Sequence, residues 1–126
     1  MQVSRGEIYY VYLDPVFGHE IGGYKTRPVA VISINDLNSK EGVVAVIPGT
    51  SAGAKPSHFR NVVLVTPSRI NGLQNDTIFD CRQLRGIDKG RLSSRSIGRL
   101  TSEELLRMEE SVKYSLGFFA DPPRGR

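Results

Sequence analysis

The chain has 126 residues, of which 39% are hydrophobic and 24% are charged, and its formal net charge at pH 7 is +4. These values are typical of one soluble globular domain and exclude wholesale disorder, collagen-like repeats and coiled coils. A single cysteine, Cys81, excludes a disulfide framework and a Cys-rich zinc site, and two separated histidines disfavour a His-based metal site. No apolar run has transmembrane length and the N-terminus lacks a signal-peptide core, so we expect a cytoplasmic protein.

Five short strands are predicted, each rich in aromatic or β-branched residues and bounded by turn-forming residues. Their predicted ranges are 6–13, 29–34, 43–47, 61–66 and 77–84. We expect Pro48 and Gly49 to end the third strand. Two long loops, 14–26 and 49–60, lie between strands, and loops of this length are often functional. The polar segment 35–42 is predicted as a turn with one helical turn, and the basic segment 86–96 as a turn or short helix.

One amphipathic helix is predicted over residues 102–116. Thr101 and Glu104 have the spacing of a capping box, and Gly117 supplies a C-terminal stop. An apolar stripe follows helical periodicity along Leu105, Met108, Val112 and Leu116. The sequence therefore predicts one mainly β domain with some α structure over residues 1–118, a small bent sheet or barrel closed by this helix, followed by a flexible tail at 119–126.

Basic residues are concentrated late in the chain. Residues 82–99 carry six Lys or Arg side chains against a single Asp88. This favours a polyanionic partner such as nucleic acid, because phosphate neutralisation releases counterions. A solvated basic surface without a ligand is the alternative that charge alone leaves open.

Several common enzyme motifs are absent. The chain has no P-loop, no dinucleotide-binding glycine pattern, no nucleophile elbow and no HExxH sequence. Its thirteen acidic residues are scattered, which disfavours a carboxylate cage for Mg²⁺. We therefore expect neither a metal nor a cofactor.

Polar side chains gather instead at predicted strand ends. If the first three strands are neighbours, the loop before Arg27, the end of the third strand and the fifth strand converge on one rim. The residues concerned are His19, Glu20, Arg27, Thr50, Ser51, Asp80, Arg82 and Gln83. Such a set suits RNA cleavage by the substrate's own 2′-hydroxyl, because the protein then needs only to position the phosphate, stabilise its charge and move protons. Arginine offers a planar fork of donors that matches phosphate oxygens.

The segment RGEIYYVYLDPVFGHEIGGYKTRPVAVIS is similar to the opening of the PemK/MazF toxin endoribonucleases. The resemblance continues at residues 43–51, in CRQLRGIDKGRL and in the terminal helix that ends SLGF, and it covers about residues 5–118. It implies an SH3-like β-barrel of the PemK/MazF (CcdB-like) type with a C-terminal helix. It also implies a homodimer that cleaves single-stranded mRNA at specific sequences without a metal, leaving 2′,3′-cyclic phosphate and 5′-hydroxyl ends and inhibiting growth. A cognate antitoxin, whose extended acidic segment covers the RNA groove, is the implied partner, with DNA binding by the complex.

The resemblance also implies roles for individual residues. Arg27 matches the family's catalytic arginine, and Thr50 matches a transition-state stabiliser at the strand end. Glu20 and His19 match positions used for proton transfer or substrate contact, and we assign Glu20 to catalysis and His19 to substrate binding. Further candidate RNA contacts are Ser51, Lys55, Arg60, Arg82 and Gln83. One branch of the family has Arg-Cys-Asp where this chain has Asp80-Cys81-Arg82, so the general base and acid stay open.

Two other functions are compatible with the sequence. A toxin of the same barrel type could bind DNA gyrase without cleaving RNA, which would place function in the terminal helix. A bare SH3-like RNA-binding module would use the basic surface alone. Loss of toxicity in an Arg27→Ala variant would favour the ribonuclease over the gyrase-binding toxin.

Overall fold

The computed structural model describes residues 2–53, 59–93 and 95–118. In this part of the chain, seven strands and two helices follow one another, with short 3-10 turns at Cys81–Gln83 and Lys89–Arg91. The strands are β1 (Glu7–Val11), β2 (Arg27–Val31), β3 (Val43–Ser51), β4 (Val62–Val65), β5 (Thr77–Asp80), β6 (Arg85–Asp88) and β7 (Gly98–Arg99). The helices are α1 (Asn35–Asn38) and α2 (Ser102–Leu116). No described helix is long and apolar enough to cross a membrane.

Strand β3 organises the sheet. The strands follow the order β4-β5-β3-β2-β1-β7, all pairings are antiparallel, and β6 adds to the first half of β3. Pro48 aligns with Val29 of β2, and the next residue, Gly49, aligns with Phe79 of β5. A Cβ atom at Gly49 would lie 2.7 Å from the Thr77 side chain, so only glycine allows β5 to approach here. The sheet therefore curls into a half-barrel around β3.

Two groups of buried side chains lie on opposite faces of the curled sheet. Tyr9 and Val11 of β1 belong to one group, whereas Ile8 belongs to the other, as the alternation of a strand requires. The second group, which we call the helix-covered core, includes Ile8, Ile47, Phe79, Cys81 and Met108. Helix α2 closes it, so β1, β2 and β3 are buried on both faces.

Helix α2 begins and ends where the sequence predicts. The Thr101 hydroxyl accepts a hydrogen bond from the Glu104 N–H, the Glu104 carboxylate accepts one from the Thr101 N–H, and Gly117 adopts a left-handed conformation with φ 80°. An Arg5–Glu109 ion pair of 2.7 Å joins the helix to the chain before β1. The single helical turn predicted within 35–42 is α1.

Several predicted boundaries were wrong. Strand β2 runs over Arg27–Val31 and not 29–34, and β7 was not predicted. Three further differences have a structural cause. Strand β3 continues through Pro48 and Gly49 to Ser51, because the missing N–H of proline falls where the strand changes neighbours. Strand β5 ends at Asp80, whose side chain accepts the Arg82 N–H and begins a 3-10 turn. Residues 85–88, predicted within or beside a turn, form β6 because they pair with β3. The predicted tail, 119–126, lies outside the described residues.

Candidate active site

Arg27 and Thr50 are in direct contact. Because β2 and β3 are antiparallel neighbours, the first residue of β2 lies beside the end of β3. The Arg27 Nη1 donates to Thr50 Oγ1 at 3.1 Å, and its Nε donates to the Gly22 carbonyl at 2.8 Å. No described carboxylate lies within ion-pairing distance of Arg27, so its charge is not neutralised by a neighbouring acid.

Loop 14–26 folds back on itself before it reaches Arg27. The Asp14 carboxylate accepts the Gly23 N–H at 2.8 Å, and the Glu20 carboxylate accepts the Phe17 N–H at 3.0 Å. A Cβ atom at Gly22 would lie 2.6 Å from Val16, so this close approach requires glycine. The loop thereby presents the Gly22 carbonyl that orients Arg27.

Gln83 joins this loop to the turn that follows β5. Its Oε1 accepts the Ile21 N–H at 2.6 Å, and its Nε2 donates to the His19 carbonyl at 3.3 Å. The same Nε2 donates to Asp80 Oδ2 at 3.2 Å. Gln83 therefore holds the backbone of the residues directly before and after Glu20. We call the surface formed by loop 14–26, Arg27, Thr50, Ser51, Asp80, Arg82 and Gln83 the rim.

Asp80 and Arg82 form an ion pair at the rim. Arg82 Nη2 lies 3.1 Å from Asp80 Oδ2, with the Arg82 side chain 67% exposed and that of Asp80 only 8% exposed. Burial by itself would raise the pKa of Asp80, but hydrogen bonds from Arg82, Asn61 and Gln83 outweigh it and hold that pKa below its ordinary value. The same pairing with Asp80 raises the pKa of Arg82. The lowered pKa favours the ionised form of Asp80, which accepts hydrogen bonds from these three residues.

Two cavities open on the rim. The larger, of about 370 Å³, is lined by Pro15, Glu20, Ile21, Pro48, Arg82, Gln83 and Arg85. The smaller, of about 210 Å³, is lined by residues that include Tyr10, Lys25, Arg27, Ser51 and Asn75. Each cavity has at least two basic side chains in its wall, which suits an anionic ligand. No group of three or more metal-ligating side chains occurs among residues 2–53, 59–93 and 95–118.

The remaining predicted site residues are not all at the rim. His19 is exposed in the loop, and its described contact is the backbone carbonyl that accepts from Gln83. Arg60 lies with its guanidinium 4.2 Å from the centre of the Tyr114 ring, in a separate groove between β4 and α2. Lys55 lies outside the described residues. The structure therefore brings together Arg27 with Thr50, and Glu20 with Arg82 and Gln83.

Sequence reasoning missed two residues that build the site. Asp14 fastens the loop to Gly23, and Asn61 donates from its Nδ2 to Asp80 Oδ1 at 3.0 Å. The Asp-Pro corner marks Asp14 as a turn former that can bind a nearby N–H, which was an available signal. No local pattern identifies Asn61, because its partner is 19 residues away along the chain.

Comparison with protein families places most of this chain in one of them. The model of the PemK-like, MazF-like toxin of type II toxin–antitoxin systems matches residues 4–116. This range contains every described element from β1 to α2, including both partners of the Arg27–Thr50 contact.

Individual relatives agree along nearly their whole length. The chain is 36% identical to the endoribonuclease MazF9 of Mycobacterium tuberculosis over 94% of this chain and 99% of that protein. It is 33% identical to the endoribonuclease EndoA of Bacillus subtilis over 92% of this chain and 96% of that protein. A solved mycobacterial endoribonuclease, in complex with its cognate antitoxin, superposes with a TM-score of 0.74 at 18% identity over 94% of this chain and 99% of that one.

Proposed function

Because the chain belongs to the PemK-like, MazF-like toxin family, we propose that it is an endoribonuclease toxin that cuts single-stranded mRNA at specific sequences without a metal. The contact between Arg27 and Thr50 carries this proposal. It puts a guanidinium and a hydroxyl side by side, and Arg27 shares the wall of the smaller cavity with a second basic side chain, Lys25. The relatives named endoribonucleases favour cleavage over gyrase binding or RNA binding alone.

The proposed reaction is an internal transfer at phosphorus. The ribose 2′-oxygen attacks the adjacent phosphorus, the new O2′–P bond forms, and the P–O5′ bond breaks. A base takes the 2′-hydroxyl proton and an acid delivers a proton to the departing 5′-oxygen. The products are a 2′,3′-cyclic phosphate and a 5′-hydroxyl.

Arg27 and Thr50 stabilise the charge that develops on the phosphorane. The guanidinium keeps its charge and offers a planar set of N–H donors to the non-bridging oxygens. Thr50 Oγ1 accepts from Arg27, which directs its own hydroxyl proton away from the guanidinium and toward a second phosphate oxygen. Loss of one such donor costs about 10²- to 10³-fold in rate in comparable anion-stabilising sites.

Glu20 is the proposed proton carrier. It lines the larger cavity, and its carboxylate is held by one backbone N–H, from Phe17, which leaves lone pairs for the substrate. Asp80 suits that task less well, because its low pKa and its hydrogen-bond partners make it a weak proton acceptor.

RNA contacts are proposed on both sides of this centre. Arg82, with its exposed side chain, reaches toward the larger cavity, and Ser51 lines the smaller one. His19, Lys55, Arg60 and Gln83 complete the proposed set. We propose that a cognate antitoxin neutralises the toxin, since the mycobacterial relative forms a complex with its own cognate antitoxin. We place the homodimer in the cytoplasm, where mRNA is available. Residues 1–118 form the proposed toxin domain.

The experiment that tests this function incubates purified protein with a long single-stranded RNA in EDTA and analyses the new ends. We expect discrete cuts with cyclic phosphate and 5′-hydroxyl ends, which Arg27→Ala abolishes. Arg99→Ala is the matched control, because Arg99 is an exposed arginine paired beside Glu7, at the opposite end of β1 from Arg27. Intact RNA with folded, antitoxin-free protein, or full activity in Arg27→Ala, contradicts the proposal.

A further inference from the structure

Asp80 accepts more hydrogen bonds than are needed to begin the 3-10 turn Cys81–Gln83. Its carboxylate takes the Arg82 N–H at 3.1 Å, which begins the 3-10 turn. It also accepts from Arg82 Nε at 3.3 Å and Nη2 at 3.1 Å, from Asn61 Nδ2 at 3.0 Å and from Gln83 Nε2 at 3.2 Å. We call these four residues the Asp80 network.

The partners of Asp80 belong to different segments of the chain. Asn61 lies directly before β4, just after the second long loop, and its carbonyl also accepts the Cys81 N–H at 2.8 Å. Gln83 holds the backbone of loop 14–26 at Ile21 and His19, on either side of Glu20. Asp80 therefore ties the loop that carries Glu20, the residue before β4 and the exposed Arg82 to the end of β5.

Only a carboxylate satisfies this arrangement. Oδ1 accepts hydrogen bonds from Asn61 and Arg82, and Oδ2 accepts hydrogen bonds from Arg82 and Gln83. Both oxygens must therefore be hydrogen-bond acceptors. An asparagine of the same size would turn one of these oxygens into a donor that faces other donors. The side chain is almost fully buried, so water cannot replace the lost bonds.

We propose that Asp80 is a positioning residue that acts through Gln83 to fix Glu20 at the larger cavity and that holds Arg82 beside it. The inference rests on the proposed function for its effect on cleavage. Asp80 itself exchanges no proton with the RNA. None of its described hydrogen bonds reaches Arg27 or Thr50, and the Gly22 carbonyl that holds Arg27 is fastened separately by the Asp14–Gly23 contact.

The test compares Asp80→Asn with Asp88→Asn. Asp88 is a matched control, because it also accepts an N–H two residues ahead, from Gly90 at 2.7 Å, and begins a 3-10 turn, but it is exposed and lines a cavity away from the rim. We expect Asp80→Asn to lower kcat by about 10- to 100-fold through misplacement of Glu20, with an unchanged pH profile, and Asp88→Asn to leave kcat unchanged. In a Glu20→Gln background, Asp80→Asn should lower kcat less than about twofold, since the two changes act through one group.

Each alternative role has a different signature. A proton-transfer role for Asp80 would lower kcat by about 10²- to 10⁴-fold and remove one limb of the pH profile. A merely structural role would lower the melting temperature and leave kcat unchanged well below it. Either result overturns the proposal.

Amide hydrogen exchange gives a readout that needs no cleavage. The Ile21 N–H, which Gln83 accepts, should exchange faster in Asp80→Asn than in the wild type or in Asp88→Asn. If Asp80→Asn does not fold, Asn61→Ala, which removes one hydrogen bond to Asp80 and leaves Gln83 in place, should show the same exchange and kcat changes to a smaller extent. Unchanged Ile21 protection in the folded variant contradicts the positioning role even if RNA cleavage is never observed, whereas faster exchange without any wild-type cleavage would refute the proposed function alone.

Discussion

The rim and the helix-covered core are built by opposite kinds of interaction. In the core, Ile8, Phe79 and Met108 are fully buried and make non-directional apolar contacts beneath α2. At the rim, Arg27 and Asp80 are held by hydrogen bonds with defined donors and acceptors. We therefore expect stability and activity to depend on separate sets of residues, although β3 contributes to both regions through Ile47 and Thr50, three positions apart.

The largest expected change in stability follows removal of a core side chain. Met108 is 0% exposed, and Met108→Ala should lower the free energy of unfolding by about 2–5 kcal/mol through lost burial and a new cavity. Leu106→Ala, on the same helix but 56% exposed, is the control and should have little effect. Urea denaturation measures both. A folded Met108→Ala variant with normal stability but a lower kcat would contradict the division of stability and activity between the core and the rim.

A smaller change is expected from the helix cap. Thr101→Ala removes the acceptor for the Glu104 N–H and should destabilise the protein by about 1 kcal/mol. Thr101→Ser retains the hydroxyl and should restore most of that loss. Denaturation midpoints measure the effect, and kcat per folded molecule should not change, because the cap lies on the core side. An equal loss in the serine variant would show that the cap hydrogen bond is not the cause.

Cys81 tests the boundary between the two regions. Its neighbours Asp80 and Arg82 are at the rim, but its thiol is buried against Met108 in the helix-covered core. Burial raises the pKa of the Cys81 thiol to about 11. Since the thiolate forms only as pH rises toward this value, iodoacetamide at pH 8 should react at least about 100-fold more slowly with folded than with urea-unfolded protein. Mass spectrometry that shows fast labelling of the folded chain would place Cys81 at an open surface instead.

The core was predictable from the sequence to a greater extent than the rim. The bounds of α2 follow from Thr101, Glu104 and Gly117, because caps and periodicity are local signals. Strand β6 was missed because its short, glycine-containing sequence becomes a strand only through pairing with β3. Pairing also explains why Pro48 does not end β3, because Pro48 aligns with β2 and the next residue already aligns with β5.

At the rim, the sequence identified residues but not their contacts. Arg27 and Thr50 were selected from their positions at predicted strand ends and from the resemblance, whereas their direct contact depends on β2 and β3 being neighbours. The roles of Asn61 and Asp80 could not be predicted, because each hydrogen bond joins segments distant in sequence or requires a particular side-chain orientation. Catalytic assignments at Arg27, Thr50 and Glu20 stay predictions until cleavage is measured.

A double-mutant cycle tests the central claim that Arg27 and Thr50 act as one unit on the transition state. Single-turnover cleavage is measured for wild type, Arg27→Ala, Thr50→Val and the double variant, with circular dichroism to confirm folding. We predict that Arg27→Ala slows cleavage by about 10²- to 10³-fold and that the double variant is slower than Arg27→Ala by no more than about threefold, because contacting groups are non-additive. Fully multiplicative losses, or a folded Arg27→Ala that cleaves at the wild-type rate, would contradict the account.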